Sequence, residues 1–130
     1  MVNDTILLVD DDYVVNFLNQ KAIEKLELNL HIVTASNGRD ALEKLATMVQ
    51  AGNPLPRMIL LDLNMPIMNG FGFLEAFKHV PFYSKDVTIA VVSSSGDAAD
   101  IERARELGAT HFIQKPLDHE KLASVIKPNA

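Results

Sequence analysis

Cysteine is absent from this sequence of 130 residues. Disulfide bonds and thiolate metal sites are therefore excluded, and the reducing cytoplasm is the expected location. The chain also lacks an excess of positive charge, because 17 acidic residues outnumber 12 lysines and arginines and give a formal net charge of -5. A nucleic-acid-binding surface normally clusters basic side chains, so this balance argues against nucleic acid as a partner.

Long apolar runs and a basic N-terminus are missing as well. No run approaches the ~18 residues that a membrane span requires, and the first residues carry no positive charge of the kind that opens a secretion signal. A composition of 48% hydrophobic and 22% charged residues is typical of a folded globular protein. We expect a single domain over residues 1–130, with a core from about 5 to 126, no output domain and no contact with membranes.

Short apolar runs alternate five times with stretches of helical periodicity. The predicted strands cover residues 5–9, 30–35, 58–61, 87–92 and 111–114. Between them, apolar residues recur at three- and four-residue spacing, which predicts helices. One face of the first helix is made by Val15, Leu18, Ala22 and Leu26, and the inner side of the second by Ala41, Leu42, Leu45 and Val49. Strand and helix repeated in this order predict an α/β fold with a parallel sheet covered by helices on both faces.

Polar and charged residues stand at the carboxyl ends of four predicted strands. They are Asp10, Asp11, Asp12, Asp62, Ser93 and Lys115. In an open parallel sheet, ligands bind beyond these ends. Clustered carboxylates need a cation among them, and oxygen ligands that leave room for water suit Mg²⁺. A lysine and a hydroxyl opposite the metal could hold phosphoryl oxygens while a central carboxylate attacks phosphorus, so the set indicates phosphoryl transfer onto an aspartate.

Each of these residues also has an ordinary explanation when it is taken singly. An aspartate after a strand is usually a turn residue or a helix N-cap, and Asp12 is well placed for capping. Most lysines are solvated surface residues, so Lys115 alone predicts little. Capping does not explain why such residues follow four strands at once, and the combination therefore favours a functional site.

The ordered motifs resemble those of the response-regulator receiver family. The resemblance is carried by LLVDDD at 7–12, LLDLNMPIMNG at 60–70 and QKP at 114–116, with support from NGRDAL at 37–42 and GA at 108–109. It extends from about Ile6 to Ile126. It implies a flavodoxin-like, doubly wound sheet with strand order 2-1-3-4-5, and a role in two-component signalling. The implied partners are a sensor histidine kinase or a histidine phosphotransfer protein, and an unknown downstream protein.

The resemblance also implies a separate chemical role for each acidic residue. Asp62 is the implied phosphoacceptor. Mg²⁺ would be held by the carboxylates of Asp11 and Asp62 and by the main-chain carbonyl of Asn64. Asp10 would bind a metal-coordinated water and would orient the site through that water. The protein would act as a signalling switch that catalyses only its own phosphorylation and dephosphorylation.

Residues of the last two strands are implied to bind the phosphoryl group and report its presence. Ser93 would donate its hydroxyl to one phosphoryl oxygen, and Lys115 would pair with another. The peptide bond before Pro116 would be cis and would aim the lysine into the site. Phe112 is implied to turn inward when Ser93 moves toward the phosphate, but it is equally compatible with a half-buried strand aromatic, and the sequence leaves both interpretations open.

Several positions depart from the family pattern. Ser94 stands where a small alanine is common, and Asn69 where aspartate is frequent. Asn64 and Ser95 flank the route by which water would reach the phosphate. These departures leave the dephosphorylation rate open but not the acceptor chemistry. The proline-containing loop at 50–56 is long for the family, and its role is open as well.

Three other functions are compatible with parts of the pattern. DLN at 62–64 has some likeness to the paired acids of haloacid-dehalogenase-like phosphatases, but such enzymes normally need more chain to build a substrate cap. A flavin- or nucleotide-binding module would need a phosphate-cradling loop after the first strand, where this sequence has three aspartates. An interaction module that has lost phosphorylation would have no need of the acids, Ser93 and Lys115.

Overall fold

The computed structural model describes residues 4–94, 96–115 and 117–126. The strands are β1 (Thr5–Val9), β2 (His31–Ala35), β3 (Met58–Asp62), β4 (Thr88–Ser93) and β5 (His111–Gln114). The helices are α1 (Tyr13–Glu24), α2 (Gly38–Gln50), α3 (Gly70–Phe77), α4 (Ala98–Glu106) and α5 (His119–Val125). The strand predictions are therefore confirmed to within one residue at each end. Within these ranges, no helix is long and apolar enough to cross a membrane.

The strands form one parallel sheet in the order β2-β1-β3-β4-β5. Successive residues of the central strands are buried on opposite faces. Leu7 and Val9 of β1 pack toward α2, α3 and α4, whereas Ile6 and Leu8 pack toward α1 and α5. Strands that are apolar on both faces are expected where helices cover the sheet on both sides. The predicted fold class and strand order are confirmed.

The inward face of α1 differs from the prediction at Leu18, whereas Ala22 and Leu26 pack against the core as predicted. Leu18, expected to face the core, is 58% exposed, whereas Asn16 and Ile23 are buried. The side-chain amide of Asn16 donates to the backbone carbonyls of Asp10 and Ala35, at 3.0 and 3.3 Å. The helix is thus oriented by hydrogen bonds to the strand ends as well as by apolar contact, and hydropathy alone does not detect this.

In α2 the prediction is right at the start of the helix and wrong at its end. Ala41 and Leu45 are fully buried, but Val49 is 37% exposed. Met48, one position earlier, packs against the core instead. Its unbranched side chain can reach the core from the flank of the helix, where a short β-branched residue cannot.

Each of the five helices begins at an aspartate or asparagine whose side chain accepts a hydrogen bond from a first-turn backbone amide. The caps are Asp12, Asn37, Asn69, Asp97 and Asp118. Such caps satisfy amides that have no partner within the helix. The capping role predicted for Asp12 is confirmed. Because each helix starts just after a strand ends, the five caps border the same rim of the sheet.

Candidate functional site

The carboxyl ends of β1 and β3 bring two aspartates together. The strands are neighbours whose register pairs Val9 with Leu61, so the next residues along them are Asp10 and Asp62. Both are only 5% exposed. Asp11 is exposed, yet one carboxylate oxygen from each of the three aspartates lies within 4.8 Å of the others. The structure therefore brings the predicted acidic residues into one cluster.

Lys115 reaches this cluster from the end of β5. Its Nζ donates to Asp10 Oδ2 at 3.0 Å and lies 3.6 Å from Asp62 Oδ1. Its backbone amide donates to the Ser93 carbonyl at 2.8 Å, which fixes the start of the loop. Burial opposes the charge on the ammonium, but the hydrogen bond to Asp10 and the attraction of Asp62 outweigh burial and raise the pKa of Lys115. The side chain is therefore a permanent cation near neutral pH.

The carboxylate of Asp62 is held in an environment that disfavours its charge. Burial raises the pKa of Asp62 above its ordinary value, and the neighbouring Asp10 raises it further. Lys115 and a 3.3 Å hydrogen bond from the Asn64 amide to Asp62 Oδ1 lower the pKa without cancelling the rise. A second cation at this position would relieve the remaining repulsion between the carboxylates.

Asp10 is fixed through both its side chain and its main chain. Oδ1 accepts from the Asp12 amide at 2.9 Å, and Oδ2 accepts from Lys115. The Asp10 amide donates to Ala35 at 3.1 Å, and Asn16 donates to the Asp10 carbonyl. Asn16 is not among the site residues predicted from the sequence. A polar residue at an inward position of the helix that directly follows the acidic triplet is the signal that could have found it.

Ser93 and Asn64 lie where the sequence placed them, at the rim. Ser93 ends β4 and is 6% exposed, one position beyond the Val92 that pairs with Asp62. Asn64 is exposed and follows β3 by two residues. Its described contact with the site is made by the amide, so metal binding by its carbonyl stays a prediction, as does the hydroxyl donation by Ser93.

Phe112 is a half-buried residue of β5 that packs against the core, as the simpler interpretation predicted. The Arg105 guanidinium lies 5.3 Å from the centroid of its ring. A cavity of about 220 Å³ adjoins the ring, and Ser93 and Ile101 also line it. Phe112 and Ser93 thus share a void, and the switch role stays a prediction.

The β3–α3 loop is closely packed at both of its ends. A Cβ atom on Gly70 would lie 2.7 Å from the Asp62 carbonyl oxygen and 2.9 Å from Leu63 Cα. At the other contact, the Gly38 amide donates to the Met68 carbonyl at 2.9 Å, and a Cβ there would also collide with Met68. Glycine is required at both positions because backbone lies where a side chain would begin. Both glycines belong to the family-like motifs of the sequence, but those motifs do not predict this packing.

The remaining predicted features lie beside the loop ends or outside the described residues. Asn69 caps α3 by accepting from the Gly72 amide at 2.9 Å, so asparagine replaces aspartate here without loss of the cap. Ser94 is exposed after β4. Ser95 and Pro116, with the predicted cis peptide bond, lie outside the described residues.

Comparisons with known proteins agree with this arrangement. A family model described as the response regulator receiver domain matches residues 6–127. The probable chemotaxis protein CheY of Rhizobium etli is 30% identical, over 94% of this chain and 88% of its own length. The crystal structure of a two-component response regulator from Cytophaga hutchinsonii is 31% identical, with a TM-score of 0.82 over 95% of this chain and 94% of that one. A CheX–CheY–BeF3–Mg²⁺ complex from Borrelia burgdorferi matches at 25% identity and a TM-score of 0.79, over 92% and 84% of the two chains.

The fold and the acidic rim define a phosphoacceptor domain of two-component signalling. The chain belongs to the response regulator receiver family. Members of this family are signalling switches that interact with histidine kinases or phosphotransfer proteins, and not enzymes in the ordinary sense. Membership decides against the phosphatase and the flavin-binding alternatives.

Proposed function

We propose that Asp62 accepts the phosphoryl group. The observation that carries this assignment is the buried Asp10–Asp62 pair with Lys115 as its cation. Both oxygens of Asp10 already accept hydrogen bonds, from Asp12 and Lys115. Among the described residues, the contacts made to Asp62 involve Oδ1 alone. Its Oδ2 is therefore the oxygen of this pair best able to approach phosphorus.

The acidic residues fit a magnesium ion. Three carboxylate oxygens within 4.8 Å of one another are hard donors of the type that Mg²⁺ prefers. Asp11, Asp62 and the Asn64 carbonyl would hold the ion, and Asp10 would orient the site through a bound water. The bound ion would neutralise charge on the phosphoryl oxygens. The Borrelia relative, crystallised in a complex that contains Mg²⁺, supports this assignment.

The transfer itself needs little beyond positioning and charge neutralisation. A bond forms between Asp62 Oδ2 and phosphorus while the bond from phosphorus to the donor's histidine nitrogen breaks, and the imidazole leaves. The Lys115 ammonium and the Ser93 hydroxyl would bind the phosphoryl oxygens. Hydrolysis would later release inorganic phosphate and restore the carboxylate. In this sense the domain catalyses only its own phosphorylation and dephosphorylation.

The surface beside the site suits a protein donor. Tyr13, Val14, Phe17 and Leu18 of α1 are 83%, 55%, 52% and 58% exposed. A groove of about 350 Å³ beside them is lined mostly by apolar side chains, together with Asn19 and Lys115. Exposed apolar surface of this kind marks interaction sites, and a donor histidine can reach Asp62 only if its protein covers this rim. We assign this surface to the histidine kinase or phosphotransfer protein, within the cytoplasm that the sequence predicts.

The output would depend on residues at the other side of the rim. Ser93 would move toward the phosphoryl group, and the Phe112 ring would then enter the adjoining cavity. Such a shift between two populated states would remodel the face formed by α4, β5 and α5, where an unknown downstream protein would bind. Phe112 supports this proposal because its ring and Ser93 line the same cavity.

Treatment with acetyl phosphate and Mg²⁺ tests the acceptor. Intact-mass measurement is expected to find one added phosphoryl group on the wild type and none on Asp62→Asn. Asp11→Asn keeps the acceptor but loses a metal ligand, so it should label slowly. Equal labelling of wild type and Asp62→Asn would defeat the assignment, and no labelling of either would favour the interaction module that has lost phosphorylation.

A second comparison tests the donor surface. Leu18→Glu places a charge in the exposed apolar surface of α1 and is expected to slow transfer from a phosphorylated histidine phosphotransfer domain. The same variant should keep its rate with acetyl phosphate, which is too small to need a docking surface. A loss of both rates would assign Leu18 to the site itself and contradict the docking role.

A further inference from the structure

Asn16 connects three elements at the edge of the acidic site. It lies in the second turn of α1 and is only 7% exposed. Its Nδ2 donates to the carbonyl oxygens of Asp10 at 3.0 Å and Ala35 at 3.3 Å. The Ala35 carbonyl also accepts from the Asp10 amide at 3.1 Å. The point where the chain leaves β1 is therefore tied both to α1 and to the end of β2.

The oxygen of the same carboxamide makes no such hydrogen bond. Asn16 Oδ1 is buried and has no hydrogen-bond partner among the described residues. An unsatisfied buried oxygen costs free energy, and a leucine of similar size would avoid that cost. The donors of Asn16 explain its presence, because without them the buried Asp10 carbonyl would lose a hydrogen bond. The main role of Asn16 is therefore to bind the Asp10 carbonyl, and not to fill space in the core.

The main chain at Asp10 controls where two of the clustered carboxylates lie. The Asp10 side chain accepts from Lys115 and from the Asp12 amide, and Asp11 is the next residue along the chain. A shift of this backbone would move both carboxylates relative to Asp62, which is held by a different strand. The spacing of the three oxygens within 4.8 Å depends on that backbone position.

We propose that Asn16 is a positioning residue of the magnesium site: its amide fixes the Asp10 backbone and so keeps Asp10 and Asp11 within reach of a metal held by Asp62. The inference rests on the proposed magnesium-dependent function. Replacing a residue that hydrogen-bonds to a metal ligand commonly weakens metal binding by about 10- to 100-fold. Asn16 acts through the backbone of its neighbour, so the lower end of that range applies.

The test compares two buried asparagines of one helix. Asn16→Leu removes the donors to Asp10, whereas Asn19→Leu makes the same chemical change at a residue that is 8% exposed and has no described hydrogen bond to the acidic cluster. Calorimetry should find Mg²⁺ binding about tenfold weaker in Asn16→Leu and unchanged within about twofold in Asn19→Leu. With acetyl phosphate, the half-saturating Mg²⁺ concentration should rise by a similar factor, and the labelling at saturating Mg²⁺ should remain that of the wild type.

An Asn16→Leu variant that folds and binds Mg²⁺ as the wild type does would overturn the positioning role. If that variant does not fold, Asn16→Ala, which cannot clash, should fold with the same loss of affinity; failure of both to fold would make Asn16 a structural residue and reject the inference. A wild type that binds no Mg²⁺ would instead refute the proposed function, so the two failures are distinguishable.

Discussion

Lys115 Nζ lies 3.0 Å from Asp10 Oδ2, and this ion pair joins the ends of β5 and β1. Two strands, β3 and β4, separate them in the sheet. The pair therefore crosses over the carboxyl end of β3, where Asp62 lies 3.6 Å from the same ammonium. Among the described residues, Lys115 is the cation that contacts both buried carboxylates of the acidic rim.

Lys115→Met should destabilise the metal-free protein. Removing one member of a buried pair leaves the other charge without compensation, at a cost of about 2 kcal/mol for a lysine that keeps some solvent contact. Magnesium should bind the variant more tightly, because no ammonium then competes for Asp10 and Asp62. Urea unfolding with and without Mg²⁺ measures both effects. Equal metal-free stabilities of the two proteins would contradict the role of the pair.

Asp62→Asn should stabilise the metal-free protein near neutral pH, with a rise in Tm of roughly 3–5 °C, which corresponds to about 1 kcal/mol in a domain of this size. The amide removes a buried charge while its Oδ1 can still accept from Asn64. Magnesium should then stabilise the wild type and leave the variant almost unchanged. A lower Tm for the variant would mean that the Lys115 pairing outweighs the burial of the charge.

The same pair of proteins should differ in how stability depends on pH. The folded pKa of Asp62 is raised above its ordinary value of 3.8, so between the two values the folded state keeps a proton that the unfolded state has lost. The unfolding free energy of the wild type should therefore fall, relative to Asp62→Asn, as pH rises through this window. A difference that grows in the wild type's favour over the same range would refute the direction of the shift.

Gly70→Ala should damage both stability and phosphorylation. The new Cβ would lie 2.7 Å from the Asp62 carbonyl oxygen, so the acceptor's own backbone must move. Overpacking of this kind costs about 1–3 kcal/mol. Gly72→Ala is the matched control, because its Cβ would meet the flexible Met68 side chain at 3.1 Å and alanine favours a helix. Similar unfolding free energies and labelling rates in the two variants would contradict the packing argument.

Arg105→Gln should release the Phe112 ring. The guanidinium lies 5.3 Å from the ring centroid, a cation–π contact worth about 0.5–1 kcal/mol at an exposed site. Its loss should raise the inward population of Phe112 up to about fivefold, which is visible as stronger NMR contacts between the ring and Ile101. Arg103→Gln, which removes a similar contact with Phe71, is the control. An unchanged ring in Arg105→Gln would show that Phe112 is held by packing alone.

The sequence predicted the rim more completely than it predicted α1. The positions of Asp10 and Asp62 follow from where β1 and β3 end, and these ends were predictable because central parallel strands are apolar on both faces. The orientation of α1 could not be predicted from hydropathy, because the polar residue Asn16 is buried and the apolar residue Leu18 is exposed. Hydropathy records the preference of a side chain for water, and not the hydrogen bonds that orient a helix.

The close contacts around the β3–α3 loop were also beyond sequence reasoning. A glycine at a helix start has several explanations, and only the structure places the Asp62 carbonyl where a Gly70 side chain would begin. Likewise, Gly38 and Met68 are far apart in the chain, and their 2.9 Å hydrogen bond depends on the packing of α2 beside that loop.

The long connection between α2 and β3 provides a site for a spectroscopic label. Residues 51–54 are exposed and lie near the amino ends of the strands, whereas Asp62 lies at the carboxyl end of β3. Since the chain contains no cysteine, Asn53→Cys would supply a unique thiol for a fluorophore or spin label. A probe attached there would follow tumbling and assembly in real time while the acidic rim stays chemically untouched.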